Sequence, residues 1–473
     1  VYTKDTRPTD RDSFKYKRVE LPGSLIYDLF NEYYTIQQRE IYQMFDKEYT
    51  FKQSTYKKDF IRLIEGNYRE AFGQRSVEQG FRKAFKGNWG SEAHTKRLGV
   101  IQSLNRLSYN AAISHLRKIN LPLDASAKVI GPRLLHSSQW GMIDPFDTPD
   151  GGNVGLHKHM AISAAITTNC SGKPLIKWLR EKGMRLIEEG DPLFNGTLTK
   201  VFVNGNWSGV IIDPIELVTE FKKSRRVGLL PTHTSIQWDK AERIIFFYTD
   251  AGRLCRPVLY MHHDGTPAFS RKTISEKITS GNFNWTQLVT GFAKKKDLNY
   301  NPKGCKIYNI KELYDTDSLD ALSESQSIIE YLDTSEEESS LIAFEGDDLK
   351  LKPYTHMEIH PSLMLGVMGN QVIFPENNPL PRNLFACGQM RQAVSLYHSN
   401  YQTRIDKMGV VLNYGQTPLL KSRYLEKISK EQHPYGENVI AAIMCYGGYN
   451  VEDSILFNEG SIKRGLFRTT YYN

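Results

Sequence analysis

The sequence predicts an α+β protein of several domains, because helical and strand-like patterns occupy separate stretches of the chain. Its 473 residues are too many for one hydrophobic core, so two to four domains are expected. Apolar residues recur at helical spacing in the first third, whereas alternating patterns begin after Arg133. The expected architecture is a helix-rich, basic N-terminal part, then mixed α/β domains, then a β-rich C-terminal part.

The first third is predicted to be helical and basic. Helices are expected over residues 23–49 (with Ser24 as N-cap), 61–85 and 101–119. Residues 71–133 contain eleven lysine and arginine residues against three acidic ones, a net charge of +8 that equals the excess of the whole chain. Positive charge concentrated among polar and aromatic side chains is typical of a protein that binds a polyphosphate. A solvated helix face is the alternative interpretation.

Strand patterns dominate the middle of the chain. The turn residues Asn204 and Gly205 lie between two alternating runs and predict a β-hairpin over 199–212. The runs 244–248 and 253–260, separated by the turn residues 250–252, predict a second hairpin.

Two charged runs are expected to lie in solvent. The basic run 222–226 could serve as a localisation signal, although a solvated helix end is the preferred interpretation. Residues 315–348 are acidic and include the run SEEES at 335–339, which predicts an exposed face or a mobile loop.

The cysteines and the apolar runs indicate a soluble intracellular protein. The five cysteines are widely spaced without a C-x-x-C pair, which argues against a disulfide framework or a thiolate zinc site. No apolar run approaches the roughly 18 residues of a membrane span.

The most informative stretch lies near the C-terminus. The apolar run 439–446 predicts a strand buried on both faces, and Gly447 and Gly448 end it. The adjacent acids Glu452 and Asp453 follow, a position that suits active-site carboxylates. A solvated acidic turn is the alternative.

The motifs around this acid pair strongly resemble the second-largest (beta-like) subunit of multisubunit DNA-directed RNA polymerases, of the eukaryotic, archaeal and large-DNA-virus type. The resemblance rests on PRN at 381–383, RQ at 391–392, GGYNVEDS at 447–454 and IKRGLFR at 462–468. It continues in family order through FKGNWG at 85–90, LNRLSY at 104–109, SHLRK at 114–118, PRLLH at 132–136, TDAGRLCRP at 249–257 and THMEIHP at 355–361. Collinear motifs are far more specific than any one of them.

The resemblance implies a division into domains. The expected parts are a protrusion- or lobe-like helical segment (1–86), a fork-like domain (87–170), an external-1-like domain (171–265), an external-2-like domain (266–366) and the start of a hybrid-binding domain of double-psi-barrel type (367–473). The chain is expected to be an internal piece of a longer subunit.

The resemblance also implies catalytic residues. Glu452 and Asp453 would lie beside the Mg²⁺ that arrives with the nucleotide, which makes Asp453 an indirect metal contact. Arg382, following Pro381 in a constrained loop, would neutralise the triphosphate; an ordinary surface arginine is the alternative.

Further residues are implied to contact nucleic acid. Arg106, Arg117 and Arg133 would face the downstream DNA and the template edge. Arg391 and Gln392, on an amphipathic helix predicted over 389–408, would line the path of the nascent RNA. The alternative is an ordinary amphipathic helix with a core face and a solvated face.

The chain departs from the family pattern at three of its charged positions. The family usually has lysine where Arg391 stands and glutamate where Asp147 and Asp150 stand. The charges are kept, but the contact geometry of Arg391 and the reach of the two shorter acids differ.

His356, Glu358 and His360 alternate, so a strand would place them on one side, where they could bind zinc. Their spacing is not that of a zincin, Pro361 ends the element, and the family has a similar string without a metal. A hydrogen-bonded structural role is therefore preferred.

The implied cofactor is Mg²⁺ held mainly by the largest subunit, with no zinc in these residues. The implied partners are the largest subunit, the assembly subunits, template DNA, nascent RNA and nucleoside triphosphates, with no membrane. The implied location is intracellular: the nucleus, or a viral factory or virion for a viral protein.

Two other functions remain open from the sequence. A non-catalytic nucleic-acid-binding scaffold would bind duplex and polymerise nothing, although the acid pair and Arg382 argue against it. A single-chain polymerase with its own Mg²⁺ would need a clustered aspartate triad such as D-x-D-x-D, which the sequence lacks.

Overall fold

A computed structural model describes residues 8–52, 59–189, 198–262, 264–270, 272–281, 284–291, 326–350 and 353–473. The chain forms two compact units, Glu20–Leu104 and the combination of Val1–Val19 with Asn105–Asn473. The chain contains helices and several small, mostly antiparallel sheets, in agreement with the predicted α+β class.

The smaller unit contains three helices, α1 (Pro22–Phe51), α2 (Phe60–Ala71) and α3 (Ser76–Phe85). Its core is formed by Leu29, Tyr33, Ala84 and Trp89. The helix predicted over 23–49 is confirmed and the one over 61–85 is found as two helices, whereas only 109–116 of the helix predicted over 101–119 is helical. Ser24 is not the N-cap of the first helix. The helix begins earlier because a proline suits the first turn, and the Ser24 hydroxyl donates to the Leu21 carbonyl oxygen at 2.9 Å.

The larger unit holds the remaining elements. Its helices are α4 (Tyr109–Leu116), α5 (Gly172–Glu181), α6 (Pro214–Arg226), α7 (Lys272–Thr279), α8 (Trp285–Thr290), α9 (Thr334–Glu338), α10 (Leu380–Gln392), α11 (Leu425–Ser429) and α12 (Glu459–Lys463). Its strands are β1 (Lys118–Asn120), β2 (His157–His159), β3 (Ala165–Ile166), β4 (Thr199–Val203), β5 (Asn206–Ile211), β6 (Ser235–Asp239), β7 (Ile244–Tyr248), β8 (Leu254–Tyr260), β9 (Ile329–Asp333), β10 (Ile342–Ala343), β11 (His356–Met357), β12 (Gly409–Leu412) and β13 (Thr469–Tyr472).

A four-stranded sheet in the order β5-β4-β7-β6 carries the first predicted hairpin. Asn204 and Gly205 both have positive φ angles, 50° and 83°, as the tight turn between β4 and β5 requires. One face of the sheet packs against α5 and α6 through Trp178, Phe221 and Phe247. This hairpin is therefore confirmed.

The second predicted hairpin is wrong, although both of its strands exist. β7 pairs with β6 and β4, whereas β8 lies in a different sheet, where it pairs with β3, β9 and β11. Between them the Thr249 N–H donates to Asn204 Oδ1 at 2.8 Å and the Gly252 N–H to the Thr167 carbonyl at 3.1 Å. These bonds lead the chain from one sheet to the other instead of reversing it.

The two charged runs predicted to lie in solvent are buried in part: Arg225 and Glu336 lie in the interior, whereas Lys223 and Glu338 are exposed. Arg225 and Glu336 are both buried, and the guanidinium donates to both carboxylate oxygens at 2.7 Å. Arg226 donates to both oxygens of the buried Glu330, at 2.9 and 3.0 Å. The predictions of a solvated helix end and an exposed acidic face are therefore wrong for the residues that form these ion pairs, because the opposite charges neutralise one another, and they hold for Lys223 and Glu338. Residues 315–325 of the acidic run lie outside the described residues.

The same charged network explains the alternating motif at 356–360. His356 Nε2 lies 3.0 Å from a Glu330 oxygen, and Arg256 donates to Glu358 at 2.6 Å. Burial opposes ionisation, but Arg226 and Arg225 hold the pKa of Glu330 well below its usual range. The preferred hydrogen-bonded structural role is confirmed for His356 and Glu358.

The C-terminal part departs most from expectation. Its described residues contain one two-stranded sheet, β12 with β13, so the β-rich character predicted for 367–473 is not found. Residues 439–446 form no strand, and Ile440 and Ile443 are fully exposed, because nothing in the described part of the chain covers this run.

The helix predicted over 389–408 is also wrong, since α10 begins earlier and ends at Gln392. Beyond it Ser395 and Tyr397 are buried, and Tyr397 donates its hydroxyl hydrogen to Asp406 at 2.9 Å. These tertiary contacts require an irregular backbone.

None of the described helices is both long and apolar enough to cross a bilayer.

Candidate nucleotide and nucleic-acid site

The acid pair lies on an exposed turn. Glu452 and Asp453 are both exposed, and the Ser454 N–H closes the turn onto the Val451 carbonyl at 3.3 Å. Asn450 anchors the start of the turn, because its side chain accepts from the Tyr446 N–H at 3.0 Å and donates to the Met444 carbonyl at 2.6 Å. The turn presents two carboxylates side by side.

Glu452 has an unusual backbone. Its φ angle is 59°, in the left-handed region that a side chain with a Cβ occupies at a cost of roughly 1–2 kcal/mol. Glycine would adopt this conformation without that cost. The carboxylate therefore occupies a position that the backbone alone would not favour.

Arg382 lies in the first turn of α10 rather than in a loop, and its side chain is exposed. The guanidinium carbon lies 5.7 Å from the centre of the Phe385 ring, and the Arg382 N–H donates to the Pro379 carbonyl at 3.0 Å. The helix start thus fixes the backbone while the guanidinium points to solvent.

Arg391 lies at the other end of α10, where its guanidinium contacts the carboxylate of Asp147. The Asp147 side chain is only 1% exposed, whereas that of Arg391 is 21% exposed. The Ser108 hydroxyl donates to the Arg391 carbonyl oxygen at 2.7 Å. Both the backbone and the side chain of Arg391 are held, and part of its guanidinium still reaches solvent.

Below this ion pair lies a second acid, Asp144. It is buried and accepts the backbone N–H groups of Gly366 at 2.7 Å and Phe146 at 3.2 Å. Burial, reinforced by the negative charge of Asp147, raises the pKa of Asp144 to about 7. Sequence reasoning missed Asp144 as part of the site, although the Asp-Pro-Phe-Asp spacing signalled two carboxylates on one tight turn.

The remaining predicted arginines differ in what they contact. Arg117 donates to the Ala161 carbonyl at 2.6 Å, and burial lowers its pKa. Arg133 donates to loop carbonyls, including those of Gly152 at 2.7 Å and Ala125 at 3.0 Å. Both guanidiniums thus stabilise loops of the protein itself.

Arg106 and Gln392 are exposed. Arg106 is two residues from Ser108, whose hydroxyl donates to the Arg391 carbonyl, and its charge acts on Tyr397 and Asp406. Within the described ranges, no hydrogen bond or ion pair connects the acid pair to Arg382 or Arg391. Those ranges also contain no group of three or more His, Cys, Asp or Glu side chains arranged to hold a metal ion.

Comparison with known proteins decides the family. Four family models match the chain in order: RNA polymerase Rpb2 domain 3 over residues 102–166, domain 4 over 201–262, domain 5 over 321–361 and domain 6 over 368–473. The chain belongs to the second-largest-subunit family of multisubunit RNA polymerases.

Relatives in this family match nearly all of the chain. The DNA-directed RNA polymerase II subunit RPB2 of Schizosaccharomyces pombe is 33% identical over 98% of the chain, and DNA-directed RNA polymerase II subunit 2 of Arabidopsis thaliana is 35% identical over 98%. The DNA-directed RNA polymerase subunit Rpo2 of Sulfolobus acidocaldarius is 30% identical over the whole chain. The chain spans 36–38% of the length of these relatives.

Proposed function

We propose that this chain is part of a DNA-dependent RNA polymerase, in which it helps to bind the DNA–RNA hybrid and the incoming nucleotide during template-directed nucleotidyl transfer. The observation that carries the proposal is the ordered match of four Rpb2 domain models along residues 102–473. The three relatives named above are all RNA polymerase subunits.

We assign the chain to the domains predicted from its sequence. The matches to domains 3, 4, 5 and 6 fall inside the fork-like, external-1-like, external-2-like and hybrid-binding segments, respectively, which supports the proposed boundaries.

In this function Glu452 and Asp453 act beside the incoming nucleotide. Three features support the role: both carboxylates are exposed, the turn is anchored by Asn450, and the backbone of Glu452 is left-handed although the residue has a side chain. In this proposal the two exposed carboxylates would make an outer contact to Mg²⁺, and the metal would be held mainly by the largest subunit. When bound, Mg²⁺ supplies the neutralisation of charge on the attacking and leaving oxygens.

The arginines have distinct roles in the proposal. The exposed guanidinium of Arg382 neutralises the nucleotide triphosphate. Arg391 and Gln392 contact the nascent RNA near its growing end, and the exposed Arg106 faces the downstream DNA and the template edge. Arg117 and Arg133 support the loops that face the DNA, because their donors already bind backbone carbonyls.

The partners and the location follow from this function. The chain assembles with a largest subunit and assembly subunits and works on template DNA, nascent RNA and nucleoside triphosphates. It acts inside the cell, where the template DNA lies. In a eukaryote this location is the nucleus. The named relatives are eukaryotic and archaeal, so a viral location has only the sequence resemblance in its favour.

The test is single-nucleotide addition by the assembled enzyme, titrated with Mg²⁺ and with nucleotide. Asp453→Ala should slow addition about 10- to 100-fold and raise the Mg²⁺ requirement, because it removes a carboxylate that tunes the metal. Arg382→Ala should instead raise the apparent KM for the nucleotide. The matched control is Glu242→Ala, which removes an exposed acid from a turn that is distant in sequence from the acid pair.

Two outcomes would count against the proposal. Normal addition by Asp453→Ala at limiting Mg²⁺ would make the acid pair an ordinary exposed turn. An assembled wild-type complex that binds duplex but incorporates no nucleotide would favour the scaffold function instead.

A further inference from the structure

We propose that Asp147 is a positioning residue that holds the guanidinium of Arg391 in one orientation, from which it contacts a phosphate of the nascent RNA. The inference rests on the proposed function, because it concerns the residue assigned there to the RNA path. Asp147 itself would not touch the RNA, since its side chain is almost completely buried.

The first support is the way in which Arg391 is held. Asp147 contacts one terminal nitrogen of the guanidinium from the buried side, and Ser108 fixes the backbone carbonyl of Arg391. An unrestrained arginine samples many rotamers and loses that freedom when it binds a ligand. A guanidinium already fixed by a buried carboxylate loses less freedom, so its remaining donors are pre-organised for an anion.

The second support is that Asp147 is itself fixed. His159, in β2, places its Nδ1 2.9 Å from the Asp147 carbonyl oxygen and 3.4 Å from the carboxylate. Burial lowers the pKa of His159, which favours the neutral ring. The negative charge of Asp147 is therefore balanced by neighbouring cations and not by His159. Lys118, paired with His159 across the sheet, is one of these neighbours, and Arg391 is the other.

The third support is the packing around Asp144 and Phe146, which lie on the same turn as Asp147. Asp144 accepts the Gly366 N–H, and a Cβ at Gly369 would overlap its carboxylate. Phe146 packs in one apolar cluster with Cys387 of α10, the helix that carries Arg391. The acid turn and the arginine helix are thus joined by packing and by an ion pair, which fixes the distance between Asp147 and Arg391.

This arrangement depends on side-chain length. Replacing Asp147 by glutamate lengthens the acid by one methylene, about 1.5 Å, and pushes against the guanidinium. Replacing Arg391 by lysine shortens the base and removes the planar fork. Either substitution alone disturbs the contact between the two side chains. The two substitutions together restore the summed length of the acid and the base, and they keep both charges.

The experiment uses the assembled polymerase containing this chain, with Asp147→Glu, Arg391→Lys and the double variant. The rate of single-nucleotide addition at saturating nucleotide, the KM for the nucleotide, and the retention of RNA on a DNA–RNA scaffold against salt are measured. The control is Arg180→Lys with Glu189→Asp. These substitutions also keep both charges and change the side-chain lengths, but in an exposed ion pair, whose atoms lie 2.7 Å apart.

We expect each single variant to slow addition about ten-fold and to release RNA at lower salt, with an unchanged KM for the nucleotide. The double variant should recover to within about three-fold of the wild type, because contacting residues are not additive. The control variants should match the wild type.

Single variants that add nucleotides normally, or a double variant as slow as the product of the two single effects, would overturn the positioning role. Equal losses of thermal stability with normal RNA retention would show that the pair only stabilises the fold. If the wild-type complex extends no RNA, the proposed function fails first, and that result is separate from any difference among the variants.

Discussion

Glu336 lies within an acidic run and is fully buried, whereas Ile440 lies within the longest apolar run near the C-terminus and is fully exposed. Residue polarity alone would place them the other way round. The difference is that Glu336 has a partner within the chain, the guanidinium of Arg225, and Ile440 has none among the described residues. Availability of a partner, more than polarity, decided the burial of these two residues.

The buried charges of this region form a network rather than isolated pairs. Although burial acts to lower it, Glu336 and Glu330 raise the pKa of Arg225 above its usual value. Arg253 donates to Asp333 at 2.8 Å and Arg256 to Glu337 at 2.6 Å, so β8 and residues 329–338 are joined by several charged bonds. The ions of this network hydrogen-bond one another, which makes burial tolerable, although Arg225 Nε and Glu337 Oε2 have no partner among the described residues.

The largest effect is expected where a buried charge loses its partner. Glu336→Ala removes the acid that pairs with both terminal nitrogens of buried Arg225 and leaves it with Glu330, which Arg226 also uses, so the free energy of unfolding should fall by about 3–5 kcal/mol. Chemical denaturation followed by fluorescence measures the change. Glu189→Ala, which removes an exposed partner of Arg180, should cost no more than about 1 kcal/mol. Equal losses in the two variants would break the distinction between buried and exposed charge.

A smaller effect is expected where a buried acid has no cation beside it. The pKa of Asp144 is raised to about 7, unlike that of Glu330, which Arg226 and Arg225 hold low. A raised carboxyl pKa gives stability that is present below about pH 4 and lost as the pH rises through 7. The wild-type protein should therefore lose roughly 2–4 kcal/mol relative to Asp144→Asn over that interval.

Unfolding free energies of both proteins, measured at several pH values between 4 and 8, check this expectation. Asp239→Asn, at a less buried acid that caps a turn, serves as the control. Parallel pH curves for the wild type and Asp144→Asn would show that Asp144 ionises normally in the fold.

The smallest effect is expected in the exposed apolar run. Ile440→Ser and Ile443→Ser should each change the free energy of unfolding by less than about 0.5 kcal/mol, because neither side chain packs on the described chain. Ile245→Ser, at a fully buried position of β7, should cost several kcal/mol by the same denaturation assay. A large loss at Ile440 would mean that the run is covered in solution.

Local patterns predicted local structure well. The helices of the smaller unit and the β4–β5 hairpin follow from short-range spacing and from the turn residues Asn204 and Gly205, and both are confirmed. The β7–β8 hairpin failed because an alternating pattern identifies a strand but not its partner. The helix predicted over 389–408 failed because tertiary bonds of Ser395 and Tyr397 outweigh helical spacing.

The candidate site divides in the same way. The motifs singled out Arg391, Arg382 and the acid pair directly from the sequence. The contact between Arg391 and Asp147 joins residues 244 positions apart, and no local pattern connects them. Likewise the anchoring of Arg391 by Ser108 spans 283 positions.

By itself, the sequence determined the family, the α+β class and the identity of the charged residues, because motif order, spacing and turn chemistry act over short distances. Only the tertiary structure decided which charges are buried, which strands pair and what holds Arg391. Ion pairs and sheet partners form between residues far apart in sequence, and their free energy depends on desolvation, which exists only after the chain has packed.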